Sequence, residues 1–268
     1  MVVNGWHNMI KKCFTINQNR TTEEFKSYEE LIKEGMFQGI EIFYPYDKTI
    51  LELETYKQNV FSLMKYNLEV VLHLPHGYMS NLLNPSTYDV VLDRFKKAID
   101  FSKLFGVKKL TLHLGGFDGN QNVSRKELIN NSIENVKILA DYCFPAFLMI
   151  ENMPGDNELG YSPDEIKYII EQSQRNNVKF IFDFGHANVS EYEITEYIDK
   201  LKNYLMHLHI SDNDSTRDQH KPIGTGNIDY KNIFKLLPFY HELYCLEIIY
   251  NSSNDLRKYA KDLDNVVE

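Results

Sequence analysis

Short apolar runs alternate along this chain with longer stretches in which apolar residues recur at helical spacing. The apolar runs lie near 9–16 (MIKKCFTI), 39–43 (GIEIF), 68–74 (LEVVLHL), 107–114 (VKKLTLHL), 146–151 (AFLMIE), 178–184 (VKFIFDF), 204–210 (YLMHLHI) and 243–249 (LYCLEII). Each is short and rich in Val, Ile, Leu or Phe, the pattern of a strand buried on both faces. Between them the period changes. In 87–105 (TYDVVLDRFKKAIDFSKLF), Val90, Val91, Phe95, Ala98, Ile99 and Leu104 predict one helical face. SPDE at 162–165 predicts a helix start, with Ser162 as N-cap, Pro163 in the first turn and Glu165 three residues after the serine. Ile166, Ile169 and Ile170 would form its apolar face. Eight strand-like runs alternating with eight helix-like ones predict an α/β chain folded as one parallel (β/α)8 barrel over residues 1–268. A doubly wound open sheet is the alternative, disfavoured by the lack of an early G-x-G-x-x-G turn.

Composition changes this picture little. Hydrophobic residues are 43% and charged residues 25% of the 268, an ordinary globular balance. The formal net charge of −9, from 29 basic and 38 acidic residues, disfavours a nonspecific grip on nucleic acid or an anionic membrane. Cys13, Cys143 and Cys245 are far apart and form no C-x-x-C, which reads as free thiols in a reducing compartment. No run of about 18 apolar residues predicts a membrane span. The start, MVVNGWHNMIKKCF, does not look like a signal peptide, so the expected location is the cytoplasm.

Candidate chemistry changes it more. Asp183 closes the run FIFD, and His186 follows. A buried carboxylate without a positive partner costs several kcal/mol or takes up a proton. Asp183 has company: Glu151 ends FLMIE, His113 ends KLTLH, His209 lies near the end of YLMHLH, Glu247 follows YCL, and His76 lies just past VVLHLP. In a parallel barrel those strand ends converge on one mouth, where active sites are built. A ring of carboxylates there repels itself unless a cation holds it. A lone His or Asp at a strand end is more often a cap or a satisfied core residue than a ligand. The joint pattern carries the reading. His73, His76, His113, His186, His207, His209 and His220 all fall in or just after these runs or in an adjacent loop, whereas His7 and His241 do not. In MHLH, His207 and His209 share a face by period two. His209 should reach the mouth, and His207, deeper, should be a buried hydrogen-bonding residue. Asp218 and His220 form a D-x-H pair beside Gly224 and Gly226, a weak sign by itself in a charged loop.

The motifs GIEIF, HLPHG, LHLGG, IENMPG, FDFGHAN, HLHISDND, DQHKPIGTGNID and LEI, in this order, resemble the xylose isomerase-like barrels. That superfamily holds sugar isomerases and epimerases together with endonuclease IV-type AP endonucleases. By that resemblance Glu151, Asp183, His209 and Glu247 form the shared metal site, an oxygen-rich set suited to Mn²⁺, Mg²⁺ or Co²⁺. The endonuclease branch adds ligands for two more metals, with zinc (up to three ions) as the usual metal. His76 and His113, with Glu151 bridging, look like one of those sites, and His186, Asp218 and His220 look like the other. The chain departs from the endonuclease pattern at Leu114, which replaces a proline, and at Thr225, which replaces a glutamate. The tyrosine of HGYMSNLLNP is also displaced by one residue.

The preferred reading is a metal-dependent isomerase or epimerase acting on a small sugar, with or without a phosphate. The metal would polarise a carbonyl, while Glu151 and Glu247 pass a proton through an enediolate. His186, Arg217, Lys221 and Glu41 would contact the substrate. The alternative is an AP endonuclease-like phosphodiesterase acting on DNA. Its mouth loops would need phosphate-binding cations and apolar wedges. Tyr78, Met79 and Leu82 are the wedge candidates, but Arg20, Lys48, Arg125, Arg217 and Lys221 are scattered and form no basic cluster. The acidic balance and GIEIF favour the sugar enzyme, and the complete ligand set favours the nuclease. A binding barrel without turnover is the remaining option. The resemblance also admits a homo-oligomer.

Overall fold

The computed structural model describes residues 10–77, 80–117 and 123–267. The expected strands form, as β1 (Lys11–Ile16), β2 (Gly39–Phe43), β3 (Glu69–His73), β4 (Lys109–Leu112), β5 (Phe147–Glu151), β6 (Val178–Asp183), β7 (Leu205–Ile210) and β8 (Leu243–Leu246). Each pairs in parallel with its neighbour in sequence, and β8 pairs back onto β1, closing the barrel. The chain is a (β/α)8 TIM barrel.

Among the described residues the helices are α1 (Thr22–Lys33), α2 (Ile50–Met64), α3 (Tyr88–Lys103), α4 (Arg125–Cys143), α5 (Pro163–Ser173), α6 (Phe184–Val189), α7 (Ile194–Leu201), α8 (Tyr230–Phe234) and α9 (Ser253–Val267). The β6–β7 crossover therefore carries two helices where one was expected. Local signals start several of them. Thr21 with Glu24, Thr49 with Glu52 and Ser124 with Glu127 form capping boxes before α1, α2 and α4. Ser162 accepts from the Glu165 N–H as expected, but the Glu165 side chain does not turn back to the cap. It takes the Arg125 guanidinium and the Gly160 N–H instead. In α3, Val91, Phe95, Ala98 and Ile99 are buried, while Val90 and Leu104 are exposed. The buried stripe is narrower than the sequence suggested, because both residues lie at its edge.

Strand parity divides the core in two. Ile40, Ile42, Leu72, Leu110, Ile150, Phe182, Leu208 and Leu246 pack outward with the helices. Cys13, Val71, Met149, Ile181, Leu243 and Cys245 fill the barrel interior. With both faces covered, the strands read as near-continuous apolar runs, and only the inward positions near the mouth are released for polar chemistry. No helix among the described residues is long and apolar enough to cross a membrane.

Phe182 is fully buried, with ring centroids 4.4 Å from Phe184 and 5.3 Å from Tyr197. Phe182→Ala should cost about 3–5 kcal/mol of unfolding free energy. Urea denaturation checks this, and a loss below about 1 kcal/mol would contradict the packing described.

Candidate metal centre at the barrel mouth

β5 and β6 end in Glu151 and Asp183, His209 is the last residue but one of β7, and Glu247 follows β8 by one residue. Their side chains converge: one ligand atom from each lies within 4.8 Å of the others. His209 Nδ1 is 2.9 Å from Glu151 Oε1, 2.9 Å from Glu247 Oε2 and 3.8 Å from Asp183 Oδ2. One ring nitrogen can give one hydrogen, so it cannot satisfy three carboxylates. Among the described residues, two further groups adjoin this one at the mouth, and a fourth, Glu41, His207, His209 and Cys245, lies buried beneath it and shares His209. His73, His113 and Glu151 form the first, with His113 Nε2 3.0 Å and His73 Nε2 3.6 Å from Glu151 Oε2. His186, Asp218 and His220 form the second, with Asp218 Oδ2 3.5 Å from His186 Nε2 and 2.8 Å from His220 Nε2. Glu151 thus belongs to two groups, one carboxylate oxygen facing each.

The main chain aims the imidazoles. His73 Nδ1 lies 2.9 Å from the Leu74 carbonyl oxygen, His186 Nδ1 2.8 Å from that of Asn152 and His220 Nδ1 2.8 Å from that of Glu247. A carbonyl only accepts, so each Nδ1 carries the hydrogen, and each Nε2 turns toward its carboxylate. That arrangement presets a ligand nitrogen. His209 is turned the other way. Its Nε2 lies 2.9 Å from Glu41 Oε2, leaving Nδ1 for the four-residue group. Asn152 clamps the end of β6, accepting from the Asp183 N–H and donating to the Asp183 carbonyl, each at 2.8 Å.

The charges are uneven. Burial, with Glu247 and Glu151 alongside, pushes the Asp183 carboxyl up to about 7 against the pull of His186. Burial would also raise Glu247, but His209 outweighs it and holds that carboxyl at about 2. Burial opposes the charge on His220, yet the bond to Asp218 raises it to about 10. Asp183 Oδ2 and Asp218 Oδ1 are buried without a hydrogen-bond partner, and Glu247 Oε2 has only the His209 Nδ1 that it shares with Glu151. Orphaned buried carboxylate oxygens beside preset imidazole nitrogens are the donor chemistry of divalent cations, and the residues present fit that group.

The structure brings Glu151, Asp183, His209, Glu247, His113, His186, Asp218 and His220 together at the mouth. His76 stays next to them, its ring 4.7 Å from that of His73 and 5.2 Å from that of His113, but it supplies no atom to the groups. His73 occupies the place expected of His76, beside Glu151. Strand parity explains the exchange: His73 ends β3 on the inward face with Val71, while His76 is exposed in the loop beyond. Glu41 is inward but one layer too deep for substrate. It is fully buried, with Thr111 Oγ1 2.7 Å from Oε1 and both His207 Nε2 and His209 Nε2 2.9 Å from Oε2. His207 is the buried hydrogen-bonding residue it was expected to be. Lys221 is turned onto Asp214 at 3.2 Å, and Arg217 is exposed. Arg20, Lys48 and Arg125 bind Glu24, Asn19 and Glu165. Leu82 is buried and cannot act as a wedge, and Tyr78 and Met79 lie outside the described residues. The cysteines are free, as expected, and are buried, with the Cys13 and Cys245 sulfurs 3.0 Å apart in the barrel interior.

Asn152 and Asp212 escaped the sequence reading, and His73, counted among the strand-end histidines, was given no ligand role. His73 was marked by its shared parity with Val71. Asn152, beside Glu151, gave no periodic signal. Asp212 anchors the loop after β7, accepting from the N–H groups of Asn213, Gly224 and Gly226, each at 2.9 Å, and of Ile228 at 3.2 Å. A Cβ at Gly226 would lie 2.1 Å from the Asn213 carbonyl oxygen, so only glycine lets the loop close there.

Two cavities open beside the centre. The larger, about 510 Å³, reaches from Glu247 and His220 to Arg20, Tyr44 and Tyr46. The smaller, about 300 Å³, runs from His113 past Asn81 and Phe117 to Asn157.

A parallel (β/α)8 barrel whose mouth gathers histidines and carboxylates into adjoining metal-competent groups defines the class. The chain belongs to the xylose isomerase-like TIM barrel family, whose model matches residues 30–266. It is 28% identical over 205 residues to a protein named probable endonuclease 4 from Mycoplasma mobile, covering 71% of this chain and 70% of that one. It is 26% identical over 182 residues to the uncharacterized protein MJ1311 of Methanocaldococcus jannaschii, spanning 65% of this chain and 61% of that protein's length. Among solved structures it resembles a D-tagatose 3-epimerase-like protein, with a TM-score of 0.73 and 23% identity over 95% of this chain and 99% of that one. It also resembles D-psicose 3-epimerase from Clostridium cellulolyticum, with a TM-score of 0.75 and 16% identity over 97% and 100%. These structural likenesses concern the fold.

Glu41→Gln keeps size but weakens the acceptor that orients His209. Cation affinity should fall about 10- to 100-fold. Titration calorimetry with Zn²⁺ or Mn²⁺ checks this, with circular dichroism confirming the fold. Wild-type affinity in the variant would refute the role given to Glu41.

Proposed function

We propose that the chain is a multinuclear metal-dependent phosphoesterase, of the kind the endonuclease 4 relatives are named for. One observation carries this reading. The groups His73–His113–Glu151 and His186–Asp218–His220 flank Glu151–Asp183–His209–Glu247, giving the donors for three cations side by side. Proton transfer through an enediolate needs only the central group and, apart from His186 as a substrate contact, leaves the flanking histidines without a purpose. Hydrolysis of a phosphate ester uses all of them.

Divalent cations held there supply an acidified water and neutralise charge on a phosphoryl group. The chain's own residues arrange the rest. Glu151 faces two groups at once, one carboxylate oxygen toward each, and would contribute to two neighbouring cation sites. Asn152 and Glu247 hold His186 and His220 through their carbonyl oxygens. Leu74 does the same for His73. Burial of Glu151, Asp183 and His209 excludes bulk water from the floor of the site and strengthens each charge interaction.

A sugar epimerase is the second reading. It is favoured by the larger cavity, about 510 Å³ and lined by tyrosines and amides next to Glu247, a setting suited to a monosaccharide. The net charge of −9 and the internally paired arginines also suit a small substrate better than a long duplex.

Metal analysis of the purified protein separates the two. The phosphoesterase reading expects about three zinc-type ions per chain, one for each of the three groups at the mouth, and none at the buried Glu41, His207, His209 and Cys245 beneath them. One manganese- or magnesium-type ion would favour the epimerase. Incubation with duplex DNA carrying an abasic site should give incision. Conversion of a ketose to its epimer without incision would overturn the proposal. Glu151→Gln should reduce either activity to background. His220→Ala should cripple the phosphoesterase while only weakening an epimerase, and retention of full phosphoesterase rate in His220→Ala would count against the flanking group.

A further inference from the structure

The register row that carries two of the cation donors continues past them. Across β6, β7, β8 and β1 the partners run Asp183, His209, Cys245 and Cys13. Register partners on neighbouring strands face the same way, so all four point into the barrel. Asp183 and His209 belong to the central group at the mouth, whereas the two thiols lie in the interior cluster beneath it. Both cysteines are fully buried, and the Cys13 thiol donates to the Cys245 sulfur at 3.0 Å. Cys245 lies against His209, and Glu247 is the next inward position after it, just past the end of β8.

This pairing suits a covalent bond. Register partners on neighbouring strands lie about 5 Å apart at Cα, inside the range of about 4.4–6.8 Å that a disulfide spans. The sulfurs need about 1 Å of further approach to bond. Cys143 ends α4 in the outer core, apart from both. A way in lies opposite the mouth. Met206, half-buried, packs against the interior cluster that holds the two cysteines. It also lines a cavity of about 460 Å³ at the start of the strands, with Lys109, Phe147 and Glu242. Methionine is flexible, and a peroxide, little larger than water, enters where that side chain turns aside.

We infer that Cys13 and Cys245 are a reversible dithiol–disulfide pair that a peroxide closes, and that closing it weakens the cation centre in the same register row. One sulfur attacks a peroxide oxygen, the O–O bond breaks, water leaves and a sulfenic acid forms. The second sulfur attacks the first, the S–S bond forms, and the hydroxyl leaves as a second water. The two thiol hydrogens depart in those waters, and each sulfur gives up one electron to the peroxide. An external dithiol reverses the step by exchange, itself becoming a disulfide. Closure draws Cys245 toward β1. His209 beside it and Glu247 above it shift with the strand, away from the spacing a cation requires. The inference goes beyond the phosphoesterase reading, since it needs cations at the mouth and no particular substrate.

The test uses the full chain, as wild type and Cys13→Ser, stripped of cations. Each is treated with hydrogen peroxide and desalted, and half of each sample is then reduced with dithiothreitol and desalted again. Free thiols are blocked after unfolding, and peptide mass mapping reads any cross-link. Calorimetric titration with Mn²⁺, an ion suited to oxygen and imidazole donors more than to thiolates, reads the mouth. Oxidised wild type should carry a bond between Cys13 and Cys245, lack the mass of two hydrogens, keep Cys143 free and bind Mn²⁺ about tenfold more weakly. Reduction should restore the affinity. Cys13→Ser should show no such loss. The mapping and the reversal need only wild type, so they decide the matter even if the variant fails to fold. Free thiols at both Cys13 and Cys245 after peroxide, or a sulfinic acid in place of the bond, would overturn the inference. A complete cross-link with unchanged Mn²⁺ affinity would overturn it as well, and would leave the cation centre standing. A reduced protein that binds no Mn²⁺ would overturn both.

Discussion

Like charges crowded into a closed space set the terms for this molecule. Glu151, Asp183 and Glu247 point into the mouth of one barrel, with Asp218 on the loop above. At the low effective dielectric of such a site their repulsion is far larger than at the surface. Histidines relieve part of it, as the opposite displacements of Asp183 and Glu247 show. The rest falls on oxygens that no hydrogen bond reaches. Four carboxylates placed this way are the donor set a divalent cation would take, and a cation held at His220 Nε2 would displace the proton that Asp218 otherwise retains there.

Everything around that crowd works to hold it in place. Backbone carbonyls at the ends of β3, β5 and β8 take the spare N–H of three imidazoles, so the closed hydrogen-bonded barrel itself orients the ligands. Glu41 does the same for His209 from the layer beneath, and its own geometry is fixed by Thr111 and His207. The loop after β7 carries two of the ligands and is held by one buried carboxylate, Asp212, working through backbone N–H groups. Precision at the mouth comes from main chain that the barrel has already made rigid.

The barrel was legible because a doubly covered parallel strand must be apolar on both faces, so each ionisable residue at a strand end stood out. Glu151, Asp183 and His209 were found on that ground. What the sequence could not supply was depth and direction. Alternation placed Glu41 inside, but only the register, with Glu41 opposite Val71 and Phe43 opposite His73, shows that it lies a layer below the mouth. His73 and His76 belong to one motif, and the choice between them turned on where β3 ends. Leu82 was read as a wedge because loops give no periodic signal, and it proved to be core. Asn152 and Asp212 act on backbone groups of distant segments, a relation that spacing along the chain does not encode.

The central claim is that these groups converge to hold cations at stated places. Anomalous diffraction at the zinc edge, from crystals grown with zinc, tests it most directly. The account predicts three peaks: one among Glu151, Asp183, His209 and Glu247, one among His73, His113 and Glu151, and one among His186, Asp218 and His220. Density at none of these positions, or strong peaks only elsewhere on the protein, would contradict it.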